Sequence, residues 1–202
     1  MEAFIQKHEY YAKAFVSCSL RTEDEPFVDF VCSILKAYNI KPFGTVGKFS
    51  ASPENPVTLM NKNIKDADIV VICATPRYIQ SDIQTGNTTK GLSEMIHVET
   101  GMAIAHGKPV VAFVKEGTNV GSALANITQY IELTGTKEDY IEKKDLIYSL
   151  LNNAYKYSIE ERKKAQKEKQ DKESNENWAA FGKFALLTIG VTGFIKFLQS
   201  DN

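Results

Sequence analysis

Apolar residues recur along the chain in two rhythms. Short runs in which apolar residues dominate occur at 13–19 (KAFVSCS), Ile69–Ala74 (IVVICA) and 109–114 (PVVAFV). Runs of that length without polar alternation predict strands covered on both faces. Ile40–Phe43 and 127–133 (ITQYIEL) predict two more. Between the strands the spacing is helical. Residues 24–38 (DEPFVDFVCSILKAY) carry apolar side chains at 27, 30, 31, 34 and 35, the spacing of one helix face. Asp24 is expected to cap this helix, with Pro26 in its first turn. Residues 55–66 predict a second helix with Pro56 at its start, and 92–105 a third. Residues 137–157 predict a fourth, which the Lys/Glu-rich stretch after it extends.

Strands alternating with helices imply a parallel sheet with helices on both faces. In such sheets ligands bind outside the carboxyl ends of the strands. A site is therefore expected in the loops after 17–19, Phe43, Ala74 and Val114.

The composition changes sharply twice. Residues 156–176 (KYSIEERKKAQKEKQDKESNE) are almost wholly polar, and 178–198 (WAAFGKFALLTIGVTGFIKFL) are largely apolar again. The expected organisation is an α/β domain at 1–136, a charged helical connector at 137–176 and a hydrophobic tail at 177–202. A membrane-spanning helix needs about 20 mainly apolar residues. The tail has Lys183 and Lys196 near its borders, where they can snorkel, and Trp178 at headgroup level. The lysine-rich connector then places the domain on the cytoplasmic face. A core or oligomer-forming helix and an interfacial amphipathic helix are the competing readings. The expectation is a single membrane-tethering helix, because an apolar tail after a solvated connector is otherwise unexplained.

The chain has 202 residues, 43% hydrophobic and 24% charged, which indicates a folded core of ordinary size rather than disorder. A net charge of -1 gives no basic footprint for nucleic acid. Cys18, Cys32 and Cys73 show no CxxC spacing. Cys18 and Cys73 fall in the predicted buried strands, where cysteine behaves as a small hydrophobe. A reducing cytoplasm without a disulfide or metal framework is expected. The opening MEAFIQKHEYY lacks the long apolar stretch of a signal peptide.

The candidate chemistry centres on 93–111 (SEMIHVETGMAIAHGKPVV). With Met95 set at zero on a helical wheel, Val98, Met102 and Ala105 fall within about 80° on one side. Glu99 lies roughly 40° to the other side, on the shoulder of that stripe. Ser93 stands near the helix start, placed to cap it or to line a cleft. A carboxylate beside an apolar stripe is partly desolvated, which raises its pKa. Such a group can attack a sugar carbon or stabilise a cationic one. A solvated shoulder glutamate paired with a lysine is the alternative. His106, about two turns on, is expected to serve the helix end.

The segment ETGMAIAHGKPVV resembles the E-x-G-x-A…G-K-P-V-V stretch of nucleoside 2-deoxyribosyltransferases. There a glutamate on the helix before a buried strand is the nucleophile that takes the sugar. It also resembles TIR domains of the NAD-cleaving kind, which carry a serine six residues before the catalytic glutamate, as Ser93 precedes Glu99. The likeness extends to AFVSCSLRTED and IKDADIVVICATPRYI and covers roughly 13–134.

The resemblance implies a flavodoxin-like three-layer α/β fold with a parallel sheet, here followed by the helical extension and tail. It implies a catalytic Glu99 that cleaves or transfers an N-glycosidic bond of a nucleotide, with NAD the leading candidate substrate and no cofactor or metal. Ser19, Arg21, Tyr78 and Ser93 would position the substrate, and self-association would be expected. The setting it suggests is immune or antiphage signalling. A non-catalytic nucleotide-sensing or assembly module is the alternative.

The other loop residues have local readings of their own. Arg21 has a fork suited to phosphate or carboxylate, or is a surface arginine beside Glu23 and Asp24. Gly44, with Gly47, allows close approach of a ligand to the backbone, or is part of an ordinary turn. Tyr78 follows the third strand, near Arg77, and can stack on a base or pack. Residues 80–91 read as a long polar loop, a lid over the cleft or a mobile surface loop.

Overall fold

A computed structural model describes residues 10–49 and 51–199, with side chains through 171 except 122, 123, 127 and 169. The signal-peptide reading of the first nine residues lies outside them. The chain forms two compact units, Met1–Ser158 and Ile159–Asn202.

The first unit opens with strand β1 (Ala12–Ser17), a 3-10 turn (Thr22–Asp24), helix α1 (Glu25–Ala37) and strand β2 (Ile40–Phe43). Helix α2 (Pro56–Asp66) leads to β3 (Ile69–Ala74), then to the short strands β4 (Tyr78–Ser81) and β5 (Thr88–Gly91). Helix α3 (Glu94–Ala105), β6 (Val110–Lys115), α4 (Gly121–Ile127), β7 (Gln129–Leu133) and α5 (Lys137–Gln199) follow. Five strands form one sheet in the order β2-β1-β3-β6-β7, every pair parallel. This is the flavodoxin-like doubly wound order, and its switch point lies between β1 and β3. The expected α/β three-layer architecture is therefore present.

Burial follows from the unbroken apolar runs. All six residues of β3 are buried. On one face Val16, Val71 and Phe113 pack with α1 and with Ile147, Leu150, Leu151 and Ala154 of α5. On the other, Phe15 and Val70 meet Met60, Ile64 and Ala103, while Ile72 and Val114 meet Ile96 and Leu124. The burial of those α5 residues carries the first unit to Ser158, past the boundary expected at 136.

Four local expectations change. Residues 80–91 are not a structureless loop: β4 and β5 pair as an antiparallel hairpin, with Ser81 opposite Thr88. Asp82 closes its turn by accepting from the backbone N–H groups of Gln84 and Thr85. Both strands are too polar to show the apolar alternation that marks a strand. Asp24 stands at the N-cap of α1 but makes no capping bond; Arg21 takes its carboxylate instead. Helix α4 fills the segment before β7, which starts at Gln129 rather than 127. Cys18 lies one residue past β1 and is only partly buried.

In the second unit, the side chains described at 159–171 are mostly exposed, as a charged stretch requires. Among the described residues no helix is long and apolar enough to cross a membrane. The tail's side chains lie outside those described.

Candidate active site

Apolar residues occur all round α3, so the sequence pattern alone misdirects its buried face. That face is Ile96, Thr100 and Ala103, while Met95 and Val98 are exposed. On the wheel Glu99 falls roughly 60° from the centre of the buried face, between core and solvent. There it meets the carboxyl end of β1: the Ser17 hydroxyl donates to Glu99 Oε2. Ser17 is fully buried. Burial pushes the Glu99 carboxyl from 4.5 up to about 7, partly offset by the Ser17 hydrogen bond. A group with that pKa is held in both protonation states near neutrality.

Glu99 borders a cavity of about 490 Å³ at the carboxyl ends of β1 and β3, where the topology predicts a site. Its polar lining is largely of hydroxyl groups: Ser17, Ser19, Thr45, Thr75 and Ser93. Its apolar walls come from Met60 of α2, Met95 and Ile96 of α3, Leu20 and Val46. Thr45 is buried and donates to the Val16 carbonyl, and the Cys18 thiol points to Thr45 Oγ1 at 3.9 Å. Burial, partly offset by Thr45, pushes the Cys18 thiol up to about 11. It is therefore a thiol at neutral pH and no nucleophile. Among the described residues no group of three potential metal ligands is present.

The sequence-derived candidates separate here. Glu99, Ser19, Arg21 and Ser93 all border the cavity. Ser93 sits at the N-cap of α3 without making a capping bond. Arg21 is committed within the protein. Its Nε and Nη2 reach Asp24 at 3.0 and 2.7 Å, and Nη2 also donates to the Pro76 carbonyl at 2.6 Å. Asp24 is 2% exposed. Burial raises its carboxyl, but hydrogen bonds from Ser19, Arg21 and Thr75 outweigh this and hold it below the usual range. It thereby ties the loops after β1 and β3 together.

Gly44 and Tyr78 are not among the cavity's lining residues. Gly44 has φ +87°, and a Cβ there would lie 2.6 Å from Phe15 Cδ2. Close packing against the sheet thus explains the glycine without a ligand. Tyr78 is exposed on β4. His106 caps the end of α3, its Nε2 2.8 Å from Asn61 Oδ1.

Ser17, Thr45, Thr75 and Arg77 line the cavity without having been assigned a role from sequence. For Ser17 a signal existed, a polar residue ending an otherwise apolar strand, but the same position suits an ordinary strand end.

No curated protein matches the sequence. Among solved structures, the chain is similar to the CMP N-glycosidase BcmB of Clostridium botulinum at 18% identity, over 66% of this chain and 98% of that one, with a TM-score of 0.43. BlsM is similar at 19% identity over 75% and 93%, TM-score 0.45. A conserved protein from Enterococcus faecalis V583 is similar at 13% over 70% and 98%, TM-score 0.44. Residues 13–185 match a family model described as a domain of unknown function, DUF4062. The chain belongs to the DUF4062 family.

Proposed function

We propose that the protein cleaves the N-glycosidic bond of a nucleotide, with Glu99 as the catalytic group. One observation carries the reading. A carboxyl with a pKa of about 7 is oriented by a buried serine at the edge of a cavity at the sheet's switch point. The carboxylate oxygen that Ser17 does not bond forms a bond to the sugar C1′ as the C1′–N bond breaks. The base leaves with that electron pair; the nicotinamide of NAD is thereby neutral, whereas a purine or pyrimidine also takes a proton from solvent. Water then bonds C1′ through its oxygen as the Glu99–C1′ bond breaks, which returns the carboxylate and releases one proton to solvent, or a second base takes the sugar instead. Met60 and Ile96 offer apolar walls for a base, and the Ser93 hydroxyl at the cavity's edge would bond the sugar, with Ser19 held by Asp24 beside it. The nucleotide is a substrate in this reading, not a resident cofactor.

NAD is the first substrate to test, beside a panel of nucleotides. The full-length protein in detergent is incubated with each, and free base is followed by mass spectrometry, with Glu99→Gln alongside. Failure to release base from any of them, by a folded protein, sinks the glycosidase reading. Binding that persists in both forms would then favour a nucleotide sensor.

The pH dependence tests the role of Glu99 separately. The ionised carboxylate is the attacking form, so kcat should rise with pH through about 7. Ser17→Ala removes the hydrogen bond that lowers this pKa, so the acid limb moves to higher pH. An unmoved limb would show that Ser17 does not act on the reacting group.

The reading includes a cytoplasmic domain that self-associates in immune or antiphage signalling, tethered by the tail. Full-length protein should float with phosphatidylcholine–phosphatidylglycerol vesicles and stay bound after carbonate washing, and a chain ending at 176 should not float. Equal flotation of the two would discard the tether.

A further inference from the structure

Two guanidinium groups border the cavity, and their surroundings differ. Arg21 faces the Asp24 and Glu23 carboxylates and the Pro76 carbonyl. Its charge is balanced and its donors are engaged inside the protein. Arg77 is exposed at the cavity's edge and forms no ion pair among the described residues.

Arg77 is nevertheless held in place. Its backbone N–H donates to the Gly91 carbonyl at 2.7 Å, closing the base of the hairpin. The Lys90 carbonyl at that base accepts from the Asn119 N–H at 2.8 Å, which ties the hairpin to the loop after β6. The Arg77 Cζ stands 5.9 Å from the centre of the Tyr78 ring, within reach of a cation–π contact that orients the guanidinium. Tyr78 thus has a positioning role although it does not line the cavity.

The cavity is graded in polarity. Apolar walls and neutral hydroxyls line it, and among the described residues Glu99 is its only lining carboxyl. A phosphate is strongly hydrated and is costly to bring among apolar walls without a cation. It therefore belongs at the solvent-facing edge, where a pre-oriented planar donor can bond two of its oxygens at once. We infer that Arg77, and not Arg21, is the phosphate-recognising residue, and that this cavity selects nucleoside phosphates over the corresponding nucleosides. The inference rests on the proposed use of the cavity for a nucleotide.

Calorimetry on full-length Glu99→Gln separates recognition from turnover. The probes are NAD and the four common ribonucleoside 5′-monophosphates, each beside its unphosphorylated nucleoside. Adding Arg77→Ala should weaken binding of the phosphorylated probes by about tenfold or more and leave nucleoside binding unchanged. Arg77→Lys should restore part of the loss, since it returns the charge without the fork. Arg21→Ala should instead lower the melting temperature. An equal loss for phosphorylated and unphosphorylated probes, no loss in Arg77→Ala, or no phosphate preference before mutation overturns the inference. Its failure is distinguishable from that of the glycosidase reading. Arg77-dependent nucleotide binding with no base release by the parent keeps the inference and sinks the reaction. Base release from nucleosides and nucleotides at equal kcat/KM does the reverse.

Discussion

Glu99→Gln should lower base release by roughly 10³-fold or more, because the amide supplies no attacking carboxylate. The same substitution should stabilise the fold above neutrality, which distinguishes it from a damaging change. In the folded protein the Glu99 pKa is raised from 4.5 to about 7, so between those values the folded state binds more protons than the unfolded one. Stability from this group is therefore greatest below the unfolded value. It falls as pH rises through the window and stays low above about 7. The difference corresponds to ~3 kcal/mol at most. Melting curves of parent and variant should diverge as pH rises from about 4.5 to about 7, with Gln the more stable at high pH. A constant offset would mean that Glu99 titrates normally and is not tuned by its surroundings.

Asp24→Ala should cost about 3 kcal/mol of stability, near the lower end for breaking a buried ion pair, because Arg21 keeps some solvent contact. Asp24 is nearly inaccessible and receives the Arg21 guanidinium at 2.7 Å. Removing it leaves the Arg21 guanidinium without its buried carboxylate, and Ser19 and Thr75 without the group that joins the loops after β1 and β3. Chemical denaturation should show the loss as a lower midpoint with an unchanged slope. Because its folded pKa is depressed, Asp24 contributes stability that is present above its unfolded value near 3.8. That contribution is lost as pH falls through the lower folded value. A stability change within about 0.5 kcal/mol would remove Asp24 as the link between the loops.

Much of the fold was legible because burial on both faces leaves a simple mark. The runs at 13–19, 69–74 and 109–114 are dominated by apolar residues, and each overlaps an observed strand. The hairpin left no such mark. Tyr78–Ser81 is exposed throughout, so no alternation distinguishes it from a loop, and only the pairing of β4 with β5 gives it shape. The direction of α3 was likewise hidden. With apolar side chains on every side, the wheel favoured the stripe of Met95 and Val98, which are exposed, whereas packing against the sheet selected Ile96, Thr100 and Ala103.

The sequence by itself determined the alternation of strands and helices, and with it a parallel sheet whose site lies at the carboxyl ends of its strands. It singled out Glu99, because a carboxylate within a mostly apolar segment stands out at any register. Only the tertiary structure decided what surrounds that glutamate. Ser17 is separated from it by 82 residues and reaches it through the crossing of β1 and α3. The division between a committed Arg21 and an Arg77 that forms no ion pair among the described residues depends on Arg21 reaching both Asp24 and, across two loops, the Pro76 carbonyl. Local periodicity reports which residues leave water, but hydrogen bonds and charge balance between distant segments are set by the strand order that brings those segments together.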